Sequence, residues 1–230
     1  MKILALETSA KAVSAAVVEN GRVLCSGYQD TGLTHSRTLM PIVEGILKNT
    51  DLTIADCDVI AVAAGPGSFT GIRIGVSAAK GLAFGADKPA VGVSALAAMA
   101  RNVAHVDGLV ICAMDARRQQ IYNALFLAKD GQLTRLTEDR AISLEDLASE
   151  LKNHDLPKII VGDGAQLCYN YLSEQEIACR MAPPHLVMQN AMSVALEAEA
   201  AALRGETVSA QELQPVYLRP AQALRLKDRA

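Results

Sequence analysis

Ile3-Leu4-Ala5-Leu6-Glu7-Thr8-Ser9-Ala10-Lys11-Ala12-Val13-Ser14-Ala15-Ala16-Val17-Val18-Glu19-Asn20-Gly21 is the stretch that decides the fold. Residues 2–6 are an apolar run with little alternation, the pattern of a strand buried on both faces. Glu7-Thr8-Ser9 is a polar turn, and residues 13–18 read as a second strand. Asn20-Gly21 is a strong signal for a two-residue hairpin, because both central positions of a type I′ turn need positive φ. Residues 22–27 then return as a third strand. A chain that opens on a β-meander does not open as a Rossmann fold, whose strands are linked by helices.

Outward from this start, the pattern turns helical. Residues 34–48 form a helix with Pro41 in an early turn and an apolar stripe of Leu39, Ile42, Val43, Ile46 and Leu47. Residues 58–64 are another buried strand, ending in Gly65-Pro66-Gly67-Ser68-Phe69-Thr70-Gly71, a turn that opens into a helix reaching about Phe84. Residues 89–93 are a short strand, and Ser94 begins another helix. After about residue 102 the pattern restarts, with strands at 109–114 and 121–128 and a turn at Asp130-Gly131. Ser143 caps a helix through Leu151, with Glu145 and Asp146 at its positive end. Residues 158–161 are a strand that ends in Gly162-Asp163-Gly164, and residues 191–203 are an Ala-rich helix stopped by Gly205. The restart predicts an α/β protein of two lobes, 1–100 and 101–230, with a boundary near 100–108.

Composition agrees with that class. The 230 residues are 50% hydrophobic with three Phe, five Tyr and no Trp, so the core is built of Ala, Val, Leu and Ile. A net charge of -3 argues against wholesale non-specific nucleic-acid binding but leaves room for a local basic patch. Cys25, Cys57, Cys112, Cys168 and Cys179 are scattered with no C-x-x-C spacing, which predicts reduced, mostly buried thiols. The apolar run at Ile3-Leu4-Ala5-Leu6 is too short for a signal peptide or a membrane span. A soluble, cytoplasmic chain with no membrane partner is expected.

The glycine-rich turn is the most informative local feature. A strand, then Gly65-Pro66-Gly67-Ser68, then a helix brings free backbone N–H groups to a positive dipole end, where a phosphate can sit. The turn serves equally as a purely structural strand-to-helix connection. It has no Lys for a Walker loop, and the third glycine of a dinucleotide fingerprint falls on Thr70. In the following helix Gly71, Gly75 and Ala79 recur at spacing four. Each interior glycine costs about 1 kcal/mol relative to alanine, so such a line marks a close approach by another backbone. Ile72, Ile74, Val76, Leu82 and Phe84 make the helix apolar nearly all round. One face covers the sheet; the other meets an internal neighbour or another chain.

Catalytic sets are incomplete. His35, His105, His154 and His185 stand in separate segments with no ligand partner at helical spacing, so no metal site is expected. Ser68 lacks a G-x-S-x-G context. Asp115-Ala116-Arg117-Arg118 is either a solvated turn or a polar site facing the cleft between lobes. The C-terminal stretch from Tyr217-Leu218-Arg219-Pro220 through Arg225, Lys227 and Arg229 is locally basic, and is either a solvated tail or a segment ordered by a partner.

Taken together these residues resemble a known family. Ile3-Leu4-Ala5-Leu6-Glu7-Thr8-Ser9 resembles the first strand and phosphate turn of the actin/Hsp70/sugar-kinase (ribonuclease H-like) fold. With Gly65-Pro66-Gly67-Ser68-Phe69-Thr70-Gly71-Ile72-Arg73-Ile74-Gly75, Gly92-Val93-Ser94, Met114-Asp115-Ala116-Arg117 and Pro215-Val216-Tyr217-Leu218-Arg219, the chain is similar to the bacterial TsaB (YeaZ) family. The resemblance implies two actin-like lobes, the second reduced, and a role in forming threonylcarbamoyladenosine at position 37 of tRNAs that read ANN codons.

In that family's catalytic relative, TsaD, a His-x-x-x-His pair after the short Gly-Val strand holds the metal; here those positions are Ala95 and Met99. The resemblance therefore implies a non-catalytic scaffold with TsaD, the ATPase TsaE and, through the assembly, tRNA as partners, and a homodimer when alone. The nucleotide or phosphate site would be Glu7, Thr8, Ser9, Gly65, Gly67 and Ser68, taking ATP or ADP weakly or only within the complex. The partner surface would be a four-helix contact through Leu39, Val43, Ile46, Gly71, Ile72, Gly75, Val76, Ala79 and Leu82. The rival readings are a stand-alone ATP-dependent enzyme of the sugar-kinase type, for which Glu7 and Asp115 are the available acids, and a protease.

Overall fold

The opening run does form a meander. Strand β1 (Lys2–Glu7) pairs antiparallel with β2 (Val13–Glu19), which pairs antiparallel with β3 (Arg22–Gln29). Asn20 and Gly21 take φ of 48° and 75°, the left-handed pair that closes a tight hairpin. Helix α1 (His35–Asn49) follows, then β4 (Val59–Gly65), α2 (Phe69–Gly85), β5 (Ala90–Ser94) and α3 (Ala95–Arg101). Strands β4 and β5 add in parallel beside β1, so the first sheet runs β3-β2-β1-β4-β5. This is a computed structural model, and it describes residues 1–219.

The second half repeats the plan. Its strands are β6 (Gly108–Asp115), β7 (Gln120–Lys129), β8 (Gln132–Arg135), β9 (Arg140–Ser143), β10 (Lys158–Val161) and β11 (Arg180–Met181). Helices α4 (Leu144–Leu151), α5 (Ala165–Glu174) and α6 (Ala191–Leu203) complete it. The second sheet runs β8-β7-β6-β10-β11, with β9 pairing β7. Its β6–β7–β8 meander is antiparallel and its β6–β10–β11 half parallel, the same pattern as the first sheet. A meander followed by parallel crossover strands, present twice, is the actin/sugar-kinase-like architecture.

Alternation along the strands builds five layers. In β1, Ile3 and Ala5 enter the central core with α3 and α6, while Leu4 and Leu6 enter the outer core under α1 and α2. In β6, Val110, Cys112 and Met114 face the same central core, while Leu109, Ile111 and Ala113 face α4 and α5. Small buried residues on α6 (Ala191, Ala195, Ala198 and Ala201) and on α3 (Ala95, Ala97, Ala98 and Ala100) fill the space between the sheets. Although α6 comes late in the chain, it packs on β1, β2, β4 and β5. At the start of α3, Ser94 Oγ accepts the Ala97 N–H at 3.1 Å and donates to Asp139 at 2.6 Å, a tie between the halves. Ser143 caps α4 as its sequence position predicts, accepting the Asp146 N–H at 3.0 Å. The cysteines are free thiols: Cys57, Cys112 and Cys168 are buried, Cys25 and Cys179 half-buried.

Candidate functional site

The β1–β2 turn meets the glycine-rich turn, and the meeting explains the glycines. The Ser68 N–H donates to the Ser9 carbonyl at 2.7 Å, and the Thr8 hydroxyl donates to the Gly71 carbonyl at 2.8 Å. Ser68 Oγ caps α2 by accepting from the Gly71 N–H at 3.3 Å. A side chain on Gly67 would run into the Ser9 carbonyl, one on Gly71 into the Thr8 carbonyl, one on Gly75 into the Thr8 hydroxyl, and one on Gly65 into the Val216 carbonyl. The structure thus brings Thr8, Ser9, Gly67 and Ser68 together, and the Ser68 amide available to an anion by sequence is spent on Ser9.

The same packing corrects the expected partner surface. Leu39, Val43, Ile46, Gly71, Ile72, Gly75, Val76 and Ala79 are buried inside the chain, against its own first sheet and β1–β2 turn. The close approach read from Gly71, Gly75 and Ala79 is real, but the neighbour is Thr8 and β4 rather than a second chain. Of the nine residues only Leu82 is partly exposed. The outer face of α2 instead carries Ile74, Ala78 and Leu82 half-exposed and Phe84 70% exposed, and that of α1 carries Met40 half-exposed and Pro41 exposed. Gly45, Gly81 and Gly85 look into open space.

Against these geometries the chain can be compared with known proteins. The family model described as TsaD, tRNA N6-adenosine threonylcarbamoyltransferase, matches residues 29–224. The tRNA threonylcarbamoyladenosine biosynthesis protein TsaB of Haemophilus influenzae is 30% identical over 95% of this chain and 94% of its own length. The TsaB of Bacillus subtilis is 38% identical over 73% of each chain. The chain belongs to the TsaB family. The solved YeaZ structure from Pseudomonas aeruginosa superposes with a TM-score of 0.81 at 29% identity, covering 94% of this chain and 99% of that one.

Within this TsaB-family fold three strand ends carry carboxylates whose charges act on one another: β1 with Glu7, β10 with Asp163 and β6 with Asp115. Glu7, the last residue of β1, is fully buried; its Oε1 accepts the Ser9 N–H at 2.5 Å, and its Oε2 has no hydrogen-bond partner among the described residues. Burial above all, then the charge of Asp163, pushes the Glu7 carboxyl up to about 7, against the pull of Ser9 and the Thr8 amide. Asp163, just beyond β10, is also raised, first by burial and then by Asp115, while a hydrogen bond from Gln189 Nε2 at 3.0 Å and the charge of Lys11 oppose the rise. Sequence reasoning named Glu7 as a site residue and met Asp163 only as part of the turn that ends a strand. Gln189 carried no motif and was missed.

Asp115 ends β6 and is exposed; its Oδ1 accepts the Arg117 N–H at 2.7 Å. Arg117, Arg118 and Gln119 then take φ of 62°, 55° and 57°, three left-handed residues in a row without a glycine. Nothing in the sequence signalled that run. Ala95 and Met99, the two positions at which the resemblance read from the sequence would set a ligand pair, are fully buried in the central core on α3. Among the described residues no group of three or more His, Cys, Asp or Glu could hold a metal ion. Among the same residues no helix is long and apolar enough to cross a membrane. The basic positions Arg225, Lys227 and Arg229 lie outside the described residues.

Proposed function

We propose that this chain is a non-catalytic, cytoplasmic subunit of threonylcarbamoyladenosine formation on tRNA, one that scaffolds a TsaD-type catalytic subunit. Membership of the TsaB family places it in that biosynthesis. The observation that carries the scaffold reading is the burial of Ala95, which has no donor atom, and Met99, whose neutral thioether is a poor ligand for iron or zinc, where a ligand pair would have to stand. The glycine-rich turn supports the same reading, because its glycines serve contacts to Ser9, Thr8 and Val216. Free-chain affinity for ATP or ADP is accordingly weak, and any strong binding belongs to the assembly. A TsaE-type ATPase and tRNA join through that assembly.

The partner surface is the outer face of α1 and α2 rather than the buried stripe. Half-exposed Ile74, Ala78 and Leu82 recur at spacing four, and Gly81 and Gly85 leave room for another helix. Alone, the chain covers this face by forming a homodimer; a TsaD-type subunit displaces the copy. Size-exclusion with light scattering, with and without the cognate TsaD, tests this. Ala78→Glu should leave the fold intact and weaken the heterodimer about a hundredfold. Threonylcarbamoyl transfer by the purified chain alone, or one tightly bound iron or zinc per chain, would overturn the scaffold reading.

A further inference from the structure

The segment after α6 has neither helix nor strand, yet it runs from one lobe to the other. Val208 bridges Ala90 at the edge of the first sheet. Lys80 Nζ, on α2, donates to the carbonyls of Gln211 at 2.9 Å and Leu213 at 3.1 Å. The Val216 N–H donates to the Ala64 carbonyl at 2.8 Å. The Tyr217 ring lies 5.0 Å from the Phe69 ring, its hydroxyl accepts from Arg73 Nε at 2.9 Å, and the Arg73 guanidinium stacks on Phe69 at 3.8 Å. Helix α2 therefore grips the segment at its first turns and again at Lys80. Two residues beyond Tyr217, Arg219 reaches the second lobe, where Nη1 donates to the Ala116 carbonyl at 3.0 Å and the guanidinium lies 5.9 Å from the Tyr122 ring.

The hairpin that receives Arg219 is locally disfavoured. Its three left-handed residues all carry side chains, so contacts from outside must hold it. Inside it, the Ala116 N–H donates to the Gln120 carbonyl at 3.0 Å and the Gln120 N–H to the Arg117 carbonyl at 3.2 Å. From outside come Arg219 and, at 3.4 Å, the Leu144 N–H to the Gln119 carbonyl.

We propose that residues 208–219 are a tether that couples the position of α2 to the conformation of the 115–120 hairpin. A shift of α2 moves Phe69, Arg73 and Lys80 together, and the segment carries it to Arg219 and so to Ala116. The tether belongs to the isolated chain; it rests on the proposed function only in naming the TsaD-type subunit as what shifts α2.

Hydrogen exchange followed by mass spectrometry on the full chain tests it, with circular dichroism as the check on folding. In Arg219→Ala the amides of Ala116, Arg117 and Gln120 should exchange about tenfold faster, the scale of one lost charge-assisted hydrogen bond, with α2 unchanged. Tyr217→Ala should speed exchange in both the segment and the hairpin, and Tyr217→Phe, which keeps the ring stack, should fall between it and wild type. Hairpin exchange equal to wild type in the folded Arg219→Ala variant would overturn the tether, whether or not Tyr217→Ala folds. A second arm adds the TsaD-type subunit, which should alter hairpin exchange in the wild type and not in Arg219→Ala. Binding with no change at the hairpin overturns the coupling and leaves the proposed function standing. No binding overturns the partner assignment, and the isolated-chain result then decides the tether alone.

Discussion

The two lobes share one strand order and treat equivalent turns in opposite ways. In both, the first strand ends on a carboxylate that accepts the N–H two residues later: Glu7 from Ser9, and Asp115 from Arg117. In both, the fourth strand of the pattern runs into a left-handed glycine before a helix: Gly65 at φ +136° ahead of α2, and Gly162 at +120° ahead of α5. Yet Glu7 is sealed from solvent and Asp115 is exposed. The first lobe has closed its turn on itself, with Ser9 and Thr8 occupying the space beside Gly67, Gly71 and Gly75. The second has left its hairpin open and holds it from outside through Arg219. Shared topology fixes where the turns stand; the side chains decide whether a turn is packing or surface.

The largest effect should come from forcing the closed turn apart. Gly75→Leu drives its Cβ into the Thr8 hydroxyl and to 3.2 Å from Val62 Cγ2, short buried side chains of the β1–β2 turn and of β4 that have no room to swing away. Overpacking at such a site costs roughly 3 kcal/mol. The variant should lose helical signal or melt far below wild type in circular dichroism, rather than stay folded and merely dissociate. A folded Gly75→Leu with wild-type melting temperature would show that α2 does not need Thr8 so near.

The elements with strong local chemistry were legible in the sequence. Apolar β1, the Asn20-Gly21 turn and the Ser143 cap each carry their own signal and stand where that signal puts them. Short β9 and β11 have no such signal, because each exists only through pairing, β9 with β7 and β11 with β10. The spacing of Gly71 and Gly75 announced a close approach but not its partner, since a helix line carries no address. The charge that helps raise the Glu7 pKa is that of Asp163, itself hydrogen-bonded by Gln189, both more than 150 residues away in the chain, and no local window contains them.

The next effect separates the two carboxylates by pH. With its folded value raised to about 7 from 4.5, Glu7 favours the folded state most when protonated. That stability is fully present below the unfolded value and is lost as pH rises from about 4.5 through about 7. The loss by pH 8 is about 3 kcal/mol, and Asp163, also raised, adds in the same direction. Glu7→Gln keeps an oxygen for the Ser9 N–H and removes the buried charge, so it should raise the melting temperature at pH 8 and change it little at pH 4. Asp115→Asn, at the exposed equivalent, should stay within about 0.5 kcal/mol of wild type at both pH values. Equal pH slopes for Glu7→Gln and wild type would show that Glu7 is not the group whose burial sets the slope.

The smallest effect lies on α2 itself, where inward and outward glycines can be set against each other. Gly75 faces Thr8, whereas Gly81 has nothing within 4 Å of the position a side chain would take, and its backbone is ordinary right-handed helix. With no clash to offset it, the general advantage of alanine over glycine inside a helix should appear undiminished. That advantage is about 0.5–1 kcal/mol, partly from restricting the unfolded chain. Gly81→Ala should therefore raise the melting temperature of the isolated chain slightly, while Gly75→Ala, built into the Thr8 hydroxyl, should lower it. Both substitutions add one methyl group to the same helix, so propensity cancels between them and the difference reports the packing alone. If the outer face is where another helix docks, Gly81→Ala should also weaken that pairing while stabilising the free chain, two changes of opposite sign that thermal melting and light scattering read separately. A Gly81→Ala variant destabilised as much as Gly75→Ala would mean that the outer side of α2 is already filled.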